Sequence, residues 1–161
     1  MRKEKTVILN DRGNELTFKV REMPATQLES WLLRAGLLLA GTGAFDGKDV
    51  TNANEAIAKA GAVLSNGGIS ALASLDYIKV QPLLDELLGC CIRTDAGVEQ
   101  RLTPDTVDGI IEDVKTLFAL RKEALSVNLS FFGKEDLFNT HNDESLLQEQ
   151  SKQKISVRSR H

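Results

Sequence analysis

Apolar side chains follow a helical period most clearly over residues 113–132. On a 3.6-residue wheel, one broad arc holds Val114, Leu117, Phe118, Leu120, Ala124, Leu125, Val127, Leu129, Phe131 and Phe132. An arc of this width is typical of a helix that packs against a core. Asp113 stands just before the run as a capping residue. The pattern therefore predicts a long helix from Asp113 to Phe132.

Two polar residues, Arg121 and Asn128, lie near the middle of that apolar arc. A buried guanidinium is costly unless it is paired and hydrogen-bonded. One interpretation is a structural clamp between helices, in which Glu86 or helix C-terminal carbonyls serve as the partner of Arg121. The other is a recognition site for a second protein, because arginine is enriched in binding hot spots.

Alternation with a period of two replaces the helical period near the N-terminus. Residues 6–10 and 16–23 read as two short strands, and the segment 10–14 between them is rich in residues that tolerate positive φ. We predict a β-hairpin here.

Helical patterns account for most of the remaining chain. They predict helices at about 26–40, 54–64, 69–79 and 104–111, and a further helix that starts with Pro82 at its first position. A turn centred on residues 95–97 suggests a minor hairpin within 92–102. The fold class that follows is mainly α: a compact helical body of residues 1–133 with an N-terminal β-hairpin, followed by a polar, mostly disordered tail at 134–161.

The helix at 26–40 is apolar on two sides. One face holds Leu28, Trp31, Leu32, Ala35, Leu38 and Leu39, while Leu33 and Leu37 form a pair on the opposite side. A helix of this kind is usually central in its fold. The alternative is that Leu33 and Leu37 contact a partner protein.

Composition narrows the function classes. Aromatic residues make up only 5% of the 161 residues, so the core must be mostly aliphatic. The net charge of −3 gives no electrostatic footprint for nucleic acid. The most apolar run, 32–44, is interrupted by Arg34 and by glycines, so we predict no membrane span.

Residue types that carry catalysis or bind metals are poorly placed in this chain. The glycines of the segment 41–49 match neither a P-loop nor a dinucleotide fingerprint. Cys90 and Cys91 are adjacent and lack a second cluster, while His141 and His161 both lie in the tail. We therefore predict no catalytic residues, no metal, no cofactor and no enzymatic activity.

Several segments resemble the tail assembly chaperones of long-tailed bacteriophages. They are the hairpin leading into Met23-Pro24-Ala25-Thr26, the Leu-Leu-Asp-Glu-Leu-Leu run at 83–88, and residues 116–121 followed by 128–132. The resemblance spans about residues 6–132. It implies a small protein of the host cytoplasm that keeps tail tube and tape measure proteins assembly-competent and is absent from the finished virion. It also implies that a longer form, made by ribosomal frameshifting, often adds a C-terminal extension to the same body.

The functional prediction is accordingly a phage tail assembly chaperone that binds the tail tube protein, the tape measure protein or both. The alternative is a structural tail or connector component that is present in the virion. The oligomeric state is left open. Candidate partner-binding residues, taken from the helical wheels, are Leu33, Leu37, Arg121, Asn128, Phe131 and Phe132.

Overall fold

A computed structural model describes residues 1–43, 53–73 and 75–130. Its strands are β1 (Glu4–Asp11), β2 (Asn14–Arg21), β3 (Cys91–Asp95) and β4 (Val98–Arg101). Its α-helices are α1 (Ala25–Ala40), α2 (Ala53–Gly67), α3 (Tyr77–Leu88) and α4 (Val114–Leu129). Short 3₁₀ helices span Gly68–Leu72 and Val107–Gly109. The predicted tail at 134–161 lies outside the described residues.

The four strands form one antiparallel sheet in the order β1-β2-β3-β4. Both hairpins predicted from the sequence are present. The prediction of a mainly α fold is wrong, because β2 of the first hairpin pairs with β3 of the second and the two hairpins form one sheet. Thr17 stands opposite Thr94, and Val20 stands opposite Cys91. The protein is therefore a mixed α/β fold. Pairing between strands some 75 residues apart leaves no local pattern in the sequence.

The two hairpins use the same kind of two-residue turn. Arg12 and Gly13 have φ values of 50° and 93°, and Ala96 and Gly97 have φ values of 47° and 84°. Two successive residues with positive φ match the twist of the flanking strands. Glycine accepts this conformation without strain, which explains its place in both turns.

Helix α4 covers the inner face of β1 and β2, where Phe18 and Val20 are completely buried. The segment that leads into α4 is tied to the end of β1, since the Asp11 carboxylate accepts the N–H groups of Glu112 and Asp113 at 2.8 and 2.9 Å. Lys5 Nζ lies 2.6 Å from Glu123 Oε2, closer to the start of β1. Helix α4 therefore runs antiparallel to β1.

The other helices complete the core on the same side. Trp31 of α1 donates its indole N–H to the Leu83 carbonyl of α3 at 3.0 Å. Arg34 of α1 makes a two-pronged ion pair with Glu86 of α3, with N···O distances of 2.7 and 2.9 Å. Helix α2 packs along α1. These contacts fix the position of α3 in the fold.

Two predicted helices differ in the structure. The segment 69–79 is not one helix, because α3 starts only at Tyr77, where the Asp76 carboxylate accepts the Ile78 N–H at 3.1 Å. Pro82 is therefore inside α3 instead of at its first position. The ring removes a donor to the Ile78 carbonyl, which lies on an exposed residue where water can replace the bond.

The predicted helix at 104–111 is reduced to the 3₁₀ turn Val107–Gly109. Thr106 accepts the Thr103 N–H through its hydroxyl at 3.0 Å, a local bond that competes with helix formation.

The capping role of Asp113 is confirmed, because its carboxylate accepts the Lys115 N–H at 2.9 Å.

Candidate protein-binding surface

The predicted pair on α1 faces away from the residues that α1 buries. Leu37 is 75% exposed and Leu33 is half-buried one turn earlier. A leucine as exposed as Leu37 contributes little to the core, so its side chain is open to a partner. The structure places this part of the candidate surface on the outside of the protein.

Asn128 has a different environment from Leu37. Its side chain is 1% exposed. The Oδ1 atom accepts the Met23 N–H at 2.8 Å, and Nδ2 donates to the Ala124 carbonyl at 2.7 Å. The Cys90 sulfur also lies 3.6 Å from Nδ2. Asn128 thus joins α4 to the segment between β2 and α1, whereas the clamp interpretation placed such a contact between two helices.

Arg121 lies in the contact between α3 and α4, with 15% of its side chain exposed. Its partner is Asp85, whose Oδ1 is 4.0 Å from Nη2, whereas Glu86, the suggested partner, pairs with Arg34 instead. The Nε atom is buried and has no hydrogen-bond acceptor among the described residues. This ion pair is long and incompletely satisfied. Phe131 and Phe132, the last two candidates, lie outside the described residues.

Further exposed apolar side chains stand at the start of α3 and α4. Tyr77 and Ile78 are 67% and 78% exposed, and Val114 and Phe118 are 60% and 53% exposed. Arg121 of α4 contacts Asp85 of α3, and Asn128, two turns later, contacts Cys90 just after the end of α3, so α3 and α4 run in the same general direction. All four side chains therefore lie at the same end of the helix pair.

This apolar end could not be predicted from the sequence, because the helical wheel assigns Val114 and Phe118 to the buried arc. Leu125 and Leu129, which continue the same stripe, are indeed buried. A helical wheel has no information about which half of a helix is covered by its neighbours.

A cleft of about 680 Å³ opens near the C-terminal end of α3. Its walls carry charges of both signs, and its apolar lining is provided by Met23, Pro24, Cys90, Ile92, Leu102 and Pro104. Arg101 donates to the Gly89 carbonyl at one side of it at 2.7 Å. A cleft that is lined by charges of both signs and by apolar side chains suits contact with a polypeptide better than with a small anion.

A family model described as a phage tail assembly chaperone protein, TAC, matches residues 14–139. The chain belongs to this family. The match includes β2 and all four helices, and it confirms the resemblance noted in the sequence. Comparisons with curated proteins and with solved structures gave no significant match. Membership of the family implies that this chaperone has protein partners in the tail.

Both cysteines of the chaperone are buried. Burial raises the pKa of both Cys90 and Cys91, so the two thiols stay protonated near neutral pH.

Among the described residues, no group of three potential ligands converges on a metal position. In the same part of the chain, no helix combines the length and apolarity needed to cross a membrane.

The long Arg121–Asp85 pair leads to a test of the role of Arg121. For Arg121→Met in the chaperone, we expect the free energy of unfolding to be unchanged or raised by about 1 kcal/mol, because an apolar side chain of similar length replaces a poorly satisfied buried charge. Asp85 is 33% exposed and keeps access to water. Urea denaturation, with the exposed neighbour Lys122→Met as control, provides the measurement. A loss above about 2 kcal/mol would show that the ion pair is a strong clamp.

Proposed function

We propose that this chaperone binds the tail tube protein, the tape measure protein or both before tail assembly. In this proposal it shields their apolar assembly surfaces in the host cytoplasm and catalyses no reaction. The observation that carries the proposal is the set of exposed apolar side chains on the helices of a protein in this family, namely Leu37, Tyr77, Ile78, Val114 and Phe118.

The physical reason is that polymerising subunits expose apolar surface until they meet their neighbours. A chaperone that covers such surface must offer apolar groups that are not needed for its own core. Large exposed side chains on rigid helices meet this requirement, because little conformational entropy is lost when they are covered. Helix α1 also has a well-packed opposite face, where Trp31 and Leu32 are almost completely buried.

Leu37→Asp tests this surface. We expect at least a tenfold loss of affinity for the tail partner, because the new carboxylate must lose its hydration when the apolar contact forms. The free energy of unfolding should change by less than about 0.5 kcal/mol, since Leu37 is mostly exposed in the free protein. Co-expression of the tagged chaperone with the tape measure or tube protein of the same phage, followed by affinity purification, measures the captured partner.

Ile8→Asp is the matched control. Ile8 is 59% exposed but lies on the outer face of the sheet, so the substitution makes the same change in charge and polarity at a distant position. It should leave capture unchanged. Equal capture by wild type and Leu37→Asp would remove α1 from the proposed surface. Failure of wild type to retain either tail protein would contradict the proposal itself.

A further inference from the structure

Strand β4 forms one edge of the sheet, and all four of its residues, Val98 to Arg101, are exposed. An edge strand offers a row of backbone N–H and C=O groups to any chain that can pair with it. Natural proteins usually protect such edges with a covering element or with unfavourable charges. The charges on β4 have a specific order, Glu99 and then Arg101.

The pairing with β3 determines which backbone groups of β4 are available. The Leu102 N–H donates to the Cys91 carbonyl at 3.0 Å, and Gln100 stands opposite Arg93. Hydrogen-bonded and non-hydrogen-bonded pairs alternate in an antiparallel ladder, so Gln100 directs its backbone groups toward β3. The backbone groups of Glu99 and Arg101 therefore point away from the sheet.

We propose that a second copy of the chain adds to this edge, with the two β4 strands antiparallel about a two-fold axis at Gln100. In this register Glu99 of each copy stands opposite Arg101 of the other. Both residues of each pair have outward-pointing backbone groups, so two backbone hydrogen bonds and one opposite-charge side-chain pair form at each of the two positions. The result is a continuous eight-stranded sheet.

Charge complementarity selects this register over its neighbours. Centring the axis on Glu99 would oppose two glutamates, and centring it on Arg101 would oppose two arginines. Like charges directly opposite each other destabilise an antiparallel pair. The other edge has no equivalent, because Glu4 is the one charged residue among those of β1 with outward backbone groups, so no two-fold axis on that edge gives an opposite-charge pair at a hydrogen-bonded position.

Both charged side chains of β4 have partners within their own chain. Glu99 accepts a hydrogen bond from Lys19 of β2, which lowers the pKa of the Glu99 carboxyl group and favours its ionised form. Arg101 uses Nε on the Gly89 carbonyl, and no carboxylate of the described residues lies within ion-pair distance of its guanidinium. Its Nη groups are thus free to donate to the Glu99 carboxylate of a second copy. Val98, which is 68% exposed, would be covered next to Leu102 of that copy.

Complementary charge reversal tests the proposal by analytical ultracentrifugation of the full chain. Wild type should form a dimer whose dissociation constant rises with salt. Glu99→Arg and Arg101→Glu should each weaken self-association at least tenfold, because each opposes like charges twice. An equimolar mixture of the two variants should recover the dimer, because both ion pairs form again in the heterodimer.

Lys115→Glu, an exposed reversal on α4, should behave as wild type. A wild type that stays monomeric, or variants that dimerise as well as wild type, would overturn the proposal. So would a mixture that fails to recover the dimer. None of these results depends on the capture of tail proteins.

Disulfide trapping gives an independent measure of the register. Gln100 faces its own copy across the axis in a non-hydrogen-bonded pair, where the Cα atoms are about 4.5 Å apart and a disulfide can form. Gln100→Cys should therefore give a covalent dimer under mild oxidation. Val98→Cys, at another exposed position on the same strand, should cross-link much more slowly, and the reverse order would contradict the two-fold axis at Gln100.

Discussion

Asn128→Ala is expected to lower the free energy of unfolding by about 3 kcal/mol. The substitution leaves the Met23 N–H without its acceptor in a buried position, which alone costs about 1–3 kcal/mol. It also opens a cavity between α4 and the end of β2, since Asn128 is 1% exposed.

Urea denaturation measures this effect, and two variants make it specific. Ser126→Ala, on the exposed side of the same helix, should change stability by less than about 0.5 kcal/mol. Asn128→Asp keeps an acceptor for Met23 but loses the donor to Ala124 and buries a carboxyl group, so it should also be strongly destabilising. If Asn128→Ala lost less than about 1 kcal/mol, Asn128 would not be the clamp that its contacts indicate.

Asp11→Ala is expected to lower the melting temperature by about 5 °C or more. The Asp11 carboxylate is buried and accepts two N–H groups, from Glu112 and Asp113, just before α4 begins. Without it, the start of α4 loses its attachment to β1, and two N–H groups lose a charged acceptor. Thermal unfolding followed by circular dichroism gives the measurement, with the exposed Asp108→Ala as control.

The same carboxylate should make stability depend on pH. The backbone hydrogen bond from Glu112 is the largest cause that lowers the pKa of Asp11 below its ordinary 3.8. Since the folded pKa is below the unfolded one, the stabilisation is complete above about pH 4 and is lost as the pH falls through the lowered pKa. Asp11→Asn should remove this part of the acid sensitivity. If wild type and Asp11→Asn lost stability in parallel below pH 4, the carboxylate would not be responsible.

The elements that the sequence predicted well are those whose pattern is local. The first hairpin has alternating strands and a turn rich in residues that accept positive φ, and α4 has a capping aspartate followed by a long apolar stripe. The sheet as a whole could not be predicted in this way. Strand β4 has no buried residue, and its role is visible only when β3 is known to pair with β2.

For the candidate binding residues, too, local sequence patterns and tertiary packing determine different features. The sequence placed Leu37 opposite the main apolar face of α1 but favoured a helix buried on both sides, whereas Leu37 is exposed in the structure. Phe118 is exposed, and Arg121 pairs with Asp85, because of the way in which α3 and α4 pack. Interhelical packing of this kind is set by the tertiary fold and not by spacing within one helix.

The central proposal is that this protein acts on tail subunits before assembly and does not remain with them. Quantitative mass spectrometry of infected-cell lysate and of purified particles of the same phage tests it most directly. We expect the protein in the lysate together with a tail partner, and no copies in the particles. A constant copy number per purified virion would contradict the proposal and would identify the protein as a structural component of the tail or connector.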